Sequence, residues 1–242
     1  MNGSTDRHSF ERRLFMAAAI LFPVIVVSGF ARTYYLRGFF AAPPLPSRLV
    51  HLHGLLMTAW VLLFVTQVRL ISRKRVWLHQ RLGYWEVGLG ALIVATGVPT
   101  AIRAAKYGSA SFPPGIPPPA FLIVPMFDLL MFVLFFGAAI YYRRRNSAAH
   151  KRLMLLSAIN FLPPAIARIP VASLQALGPL WFFGAPTVLA AVGLGLDAWR
   201  HGRVNRVFLV GTLLLIASYV ARLALMTSGA WLAVATGLMS FV

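Results

Sequence analysis

Seven times along this chain an apolar run of about twenty residues gives way to a short polar turn, and that alternation limits the fold more than any single motif does. The runs cover about 14–36, 50–72, 82–105, 119–142, 152–171, 179–200 and 206–227. About twenty apolar residues in a helix cross the hydrocarbon core of a bilayer. No water reaches the backbone there, so such a run must pair its N–H and C=O groups internally, as an α-helix does. The predicted fold is an all-α polytopic transmembrane bundle of seven spans, one domain over residues 1–242, with no linker or composition shift to divide it. Charged residues make up 12% of the chain, about half the share in soluble domains. The first run continues past Phe30 into Tyr34 and Tyr35 without a small-residue cleavage site, so it reads as an uncleaved span rather than a signal peptide. The apolar tail over 230–242 is short for a span; it extends the last helix or lies at the interface.

The turns alternate in charge. Arg7, Arg12 and Arg13 precede the first run. Arg69, Arg73, Lys74, Arg75 and Arg81 surround the second turn. Arg143, Arg144, Arg145, Lys151 and Arg152 surround the fourth, and Arg200, Arg203 and Arg206 the sixth. Sixteen of the 23 basic residues thus fall on one side, and only Arg32, Arg37, Arg48, Arg103, Lys106 and Arg168 on the other. Basic turns stay in the cytoplasm, which predicts a cytoplasmic N-terminus and an outside C-terminus in a bacterial inner membrane. The formal charge of +18 is therefore a topology signal, with the bilayer as partner and no nucleic acid implied. The opposite turns carry prolines at 41–46 and 112–119, which makes them stiff, non-helical covers.

Several chemistries are excluded. The chain has no cysteine, so disulfides, iron–sulfur clusters and thiolate metal sites are absent. No H-E-x-x-H, G-x-S-x-G or glycine-rich phosphate loop occurs, and the balance leans away from an enzyme. Lys74, Lys106 and Lys151 all lie in or near turns, so no span offers a Schiff-base lysine.

The candidate functional residues are polar groups inside apolar runs, which are costly there and tend to face protein or water. His53, Trp60 and Gln67 stand seven apart, with Met57, Phe64 and Ile71 between them, so one helix face carries a polar and aromatic stripe. Glu86 follows His79 by seven residues, and Asp197 precedes His201 by four; carboxylates at such spacing can orient imidazoles. His150 joins His79 and His201 in an echo, since each basic turn contains His-x-Arg and then an aliphatic residue. All three histidines are expected in one cytoplasmic-side layer. Asp128 lies roughly 13 Å into the fourth run at about 1.5 Å per residue. Asn160 and Arg168 lie in the fifth run and Arg222 in the seventh. Gln67, Asp128 and Asn160 are expected to draw the second, fourth and fifth spans together. Pro163-Pro164 must break or kink the fifth. Gly83, Gly90 and Gly97, seven apart in the third run, indicate close helix packing.

The motifs H-x-H-G-x-x-x-T-A-W at 51–60, L-H-x-R-L-G at 78–83, A-H-K-R-L-M-L-L at 149–156, P-A-I-A-R at 164–168 and D-x-x-x-x-G-R-V at 197–204 together resemble an uncharacterised family of bacterial seven-span inner-membrane proteins. More loosely, histidines at span ends are similar to those of cytochrome b-type bundles and cytochrome oxidase assembly factors, although the outer side offers only His51 and His53, from one helix.

Two functions follow from these residues. In one, the protein binds a redox cofactor or metal, haem b or a metal ion, through His53 outside or through His79, His150 and His201 inside with Glu86 and Asp197. It would then serve electron transfer or respiratory assembly, with a respiratory-chain partner or quinone. In the other, it is a small-solute or proton-coupled transporter with a polar path through Gln67, Asp128 and Asn160.

Overall fold

The computed structural model describes residues 3–42, 44–108 and 115–241, with side chains from Phe10 onward. Pro43, residues 109–114, the Arg7 side chain and Val242 lie outside the described residues, so the two proline-rich covers are described only in part. No strand occurs among the described residues. The long helices are α1 (Gly3–Phe30), α2 (Arg48–Ser72) and α3 (Val76–Tyr107). A short α4 (Pro118–Phe121) leads into α5 (Ile123–Tyr142), and α6 (Ser147–Asn160) follows. Three one-turn pieces come next: α7 (Pro163–Ile166), α8 (Ala172–Gln175) and α9 (Pro179–Phe182). The chain ends in α10 (Gly184–His201), α11 (Arg206–Leu225) and α12 (Gly229–Ser240).

The helix starts are written locally. Ser47, Asn146, Asn205 and Ser228 each place a side-chain oxygen on the backbone N–H three residues on, satisfying a donor that the helix leaves free. Six stretches are long and apolar enough to cross a membrane: Phe10–Tyr35, Arg48–Ser72, Val76–Tyr107, Pro118–Tyr142, Pro179–His201 and Arg206–Leu225. Their outward faces expose large apolar side chains such as Ile20, Leu62, Leu92, Leu134, Val188 and Leu213. So large an apolar surface is compatible with an integral membrane protein and unlike a soluble one.

The run over 152–171 is interrupted at Pro163-Pro164, the pair expected to break or kink it. α6 ends at Asn160, and Pro163-Pro164 starts a separate turn, because proline has no N–H to give and its ring clashes with the preceding turn. Carbonyls freed by the break are taken by side chains: Arg168 Nη1 donates to Pro164 O at 2.5 Å, and Trp181 Nε1 donates to Ile166 O at 3.0 Å. The broken segment still runs alongside α1. Lys151 pairs with Glu11 at one end, and Ala165 packs its backbone on Gly29, where a side chain would collide with it. Glu11 and Gly29 are eighteen residues apart on a continuous helix, about 27 Å along its axis.

Within lipid, helices associate by close packing rather than by exclusion from water. Two aromatic-rich cores do this. The first joins α1, α2, α3, α5 and α6 through Phe22, Trp60, Phe64, Phe132, Phe136 and Phe161. The second joins α5, α6, α10 and α11 through Phe135, Leu156, Phe208, Leu215 and Tyr219. Gly90 lets α3 approach α5: a methyl there would stand 2.7 Å from the Phe136 ring. The tail forms α12, a twelve-residue helix whose Trp231 Nε1 donates to Pro119 O at 3.0 Å and whose Ala235 is buried against α3 and α4.

Candidate functional site

At the end of the bundle that carries the most basic turns, α1, α2, α3, α5 and α6 diverge around an open cavity of about 1170 Å³. Small-molecule sites run from about 300 to 1,000 Å³, so this one takes a large ligand or a small one with solvent. α1 contributes Glu11, Arg12 and Phe15; α2 contributes Phe64, Gln67 and Ile71; α3 contributes Trp77, His79, Tyr84 and Glu86; α6 contributes His150 and Met154. The α2 stripe therefore divides. Trp60, Phe64 and Gln67 are buried, whereas Ile71, at the mouth, is exposed.

His79 is the fourth residue of α3 and His150 the fourth of α6. Each follows a basic turn, and the fold brings the two imidazoles to a centroid separation of 6.3 Å with planes at 68°. Each ring is held at Nδ1. His150 Nδ1–H donates to Ala139 O at 2.9 Å, a backbone carbonyl that can only accept. His79 Nδ1–H donates to Gln67 Oε1 at 2.8 Å, and Gln67 Nε2–H donates to Glu86 Oε2 at 3.1 Å. Glu86 thus reaches His79 through Gln67, not directly as the seven-residue spacing implies. Its other oxygen, Oε1, is buried without a hydrogen-bond partner. With Nδ1 protonated, each neutral imidazole keeps its lone pair on Nε2.

His201 does not join this pair. Its Nδ1–H donates to Asp197 O at 2.7 Å, it lies 3.5 Å from the Asp197 carboxylate, and its Nε2 lies 3.2 Å from Glu11. Arg152 takes both Asp197 oxygens, and Lys151 takes Glu11 at 2.5 Å. Glu11, Asp197 and His201 bring ligand atoms within 4.8 Å of one another, as a metal triad would. Their carboxylates, however, are already neutralised by two cations, so the cluster clamps α1, α6 and α10 together. Sequence spacing missed Glu11 and Arg152. Scarcity is the signal that could have found Glu11, since it is one of only five acids in the chain.

The expected meeting of Gln67 with Asp128 and Asn160 does not occur. Gln67 is committed to His79 and Glu86, whereas Asn160 Nδ2 donates to the Asp128 backbone O at 2.8 Å. The Asp128 carboxylate pairs with Arg222 at 2.5 Å. Arg222 is fully buried among the rings of Phe127, Phe183 and Tyr219. Trp60 packs edge-on against Phe132, Phe136 and Phe161, between the level of Gln67 and that of Asp128. Gln67, Asp128 and Asn160 of the transport alternative do not form one hydrogen-bonded chain. His53 is placed elsewhere again, bonded through Nδ1 to Thr96 Oγ1 at 3.0 Å. Arg168 caps the α7 turn and lies over the Phe30 ring.

Comparison with protein-family models, with curated proteins and with solved structures finds no match to this chain.

Proposed function

We propose that this chain is an integral protein of the bacterial inner membrane that holds a metal-centred redox cofactor between His79 and His150 and serves electron transfer rather than catalysis. It crosses seven times, with its N-terminus and its cavity on the cytoplasmic side. The motifs quoted above support kinship with the seven-span inner-membrane family that they resemble. The charge split between alternate turns supports the orientation. The course of α6 and α7 along α1 supports the additional crossing beside the six apolar helices.

One observation carries the cofactor reading: two adjacent imidazoles in one cavity, each anchored through Nδ1 on a carbonyl oxygen. Metal-ligating histidines are oriented in this way, with Nδ1–H on a carbonyl or carboxylate and Nε2 toward the ion. The same tautomers disfavour a quinone held by these two rings, because a quinone carbonyl needs donors and both Nε2 atoms are acceptors. The pair lies on α3 and α6, which are rigid elements, so its geometry does not depend on a loop.

The test is metal content. Purified in mild detergent from cells supplied with transition metals and with haem precursors, the wild-type protein should carry about one metal ion per chain, and His79→Ala and His150→Ala should each lose it. A metal-free wild-type protein that also gains none on reconstitution with Fe²⁺, Cu²⁺, Zn²⁺ or haemin would overturn the proposal.

A further inference from the structure

We infer that the cofactor is an iron porphyrin whose ring lies in the cavity with its carboxylates at the basic rim, an assignment that rests on the metal-centred reading above. The first ground is the donor count. A protein-built zinc site supplies three or four ligands. Among the described residues no third histidine or carboxylate comes within ligand reach of both His79 and His150; the one group of three lies at Glu11, Asp197 and His201. Glu86 keeps Oε1 unbonded but forms no group of three ligand atoms with the two rings. A metal held by two imidazoles alone needs its other positions filled by its own ligand. An iron porphyrin would bring its own nitrogen ligands and take the two imidazoles as its protein ligands.

The second ground is the wall. The cavity is lined by Phe15, Phe64, Val68, Ile140 and Met154 beside the two imidazoles, and the flat face of a macrocycle needs such apolar contact. A hydrated ion or a phosphate does not. The volume is sufficient for a ligand of this size.

The third ground is the rim. Arg143 and Arg144 line the mouth and are exposed. Positive-inside topology explains why basic residues occur in this turn, but not their fixed placement over the cavity. Arg144 Nη2 donates to the Tyr84 hydroxyl at 3.0 Å, and Arg143 lies over the same ring. Tyr84 thus anchors Arg144, and the Ile140 carbonyl accepts from Arg143 Nη1 at 3.1 Å, beside the cavity that contains the imidazole pair. Arginine is suited to bind carboxylates in paired fashion. A porphyrin with two propionate groups would meet the imidazoles at its iron and the guanidinium groups at its edge.

The experiment is titration of the purified full-length protein in detergent with haemin, with haemin dimethyl ester and with Zn²⁺. Haemin should give a low-spin bis-imidazole spectrum in the wild type. That spectrum should be lost in both His79→Ala and His150→Ala. The variant Arg143→Gln/Arg144→Gln should bind haemin about tenfold or more weakly, the loss expected for charge-assisted hydrogen bonds. It should bind the dimethyl ester as the wild type does, which shows that the fold survives. Haemin binding unchanged by either histidine substitution would overturn the inference, as would equal haemin affinity in the arginine variant. Zn²⁺ bound at both histidines with no haemin binding would overturn the porphyrin while leaving a metal site. Binding of neither would overturn both.

Discussion

Arg152 holds Asp197 by two hydrogen bonds, Nε to Oδ2 at 3.0 Å and Nη2 to Oδ1 at 2.5 Å, across forty-five residues of chain. Both side chains are buried, and the pair ties α6 to α10. Removing one partner leaves an uncompensated buried charge, which costs about 3–5 kcal/mol. Arg152→Ala or Asp197→Ala should each lower the thermal midpoint sharply in detergent, and Arg152→Met/Asp197→Leu should recover most of the loss. If the double variant is no more stable than the singles, the pair does more than neutralise itself.

Gln67 is the hinge of the His79 anchor, accepting from the imidazole and donating to Glu86. Gln67→Leu removes both contacts at similar volume. Loss of such an orienting partner costs about 10–100-fold in metal affinity. Reconstitution of Gln67→Leu should show that drop together with a lowered thermal midpoint, since the buried Glu86 carboxylate loses its hydrogen-bond donor; Gln67→Leu/Glu86→Leu should recover the stability but not the affinity. Undiminished cofactor affinity in Gln67→Leu would show that His79 needs no orientation.

Gly90 lies against Phe136, where an added methyl would stand 2.7 Å from the ring. Overpacking of this kind costs typically about 1–3 kcal/mol. Gly90→Ala should be destabilised by that amount, and Gly90→Ala/Phe136→Leu should regain part of it because the shorter side chain makes room. The check is a pair of melting curves on the two purified proteins.

Topology can be read by labelling, because the chain contains no cysteine and any introduced thiol reports alone. Cysteines placed at Asn146 and Gly202 should react with a membrane-impermeant maleimide only in inverted vesicles. Cysteines at Gln175 and Ser228 should react in intact spheroplasts. If positions 146 and 175 label from the same side, α6 and α7 do not cross.

Much of the architecture is local and was legible along the chain. Apolar run length led to seven expected spans, six of which are long apolar helices, and the paired prolines at 163 and 164 announced the break after α6. The stripe of Trp60 and Gln67 on α2 and the shared face of His79 and Glu86 on α3 follow from helical period alone, and all four residues turn inward, His79 only half-buried. These properties depend on neighbours within a few turns, so periodicity reports them. What periodicity does not report is which helix faces which. Span ends placed His79, His150 and His201 in one expected layer, yet only the first two meet, because α3 and α6 border the cavity whereas His201 closes on α1. Depth sent Gln67 toward Asp128, but the fold gave Gln67 to His79 and Glu86, and Asp128 to Arg222. Hydropathy encodes position along the membrane normal. Lateral position is decided by side-chain packing between helices distant in sequence, and only the tertiary structure settles it.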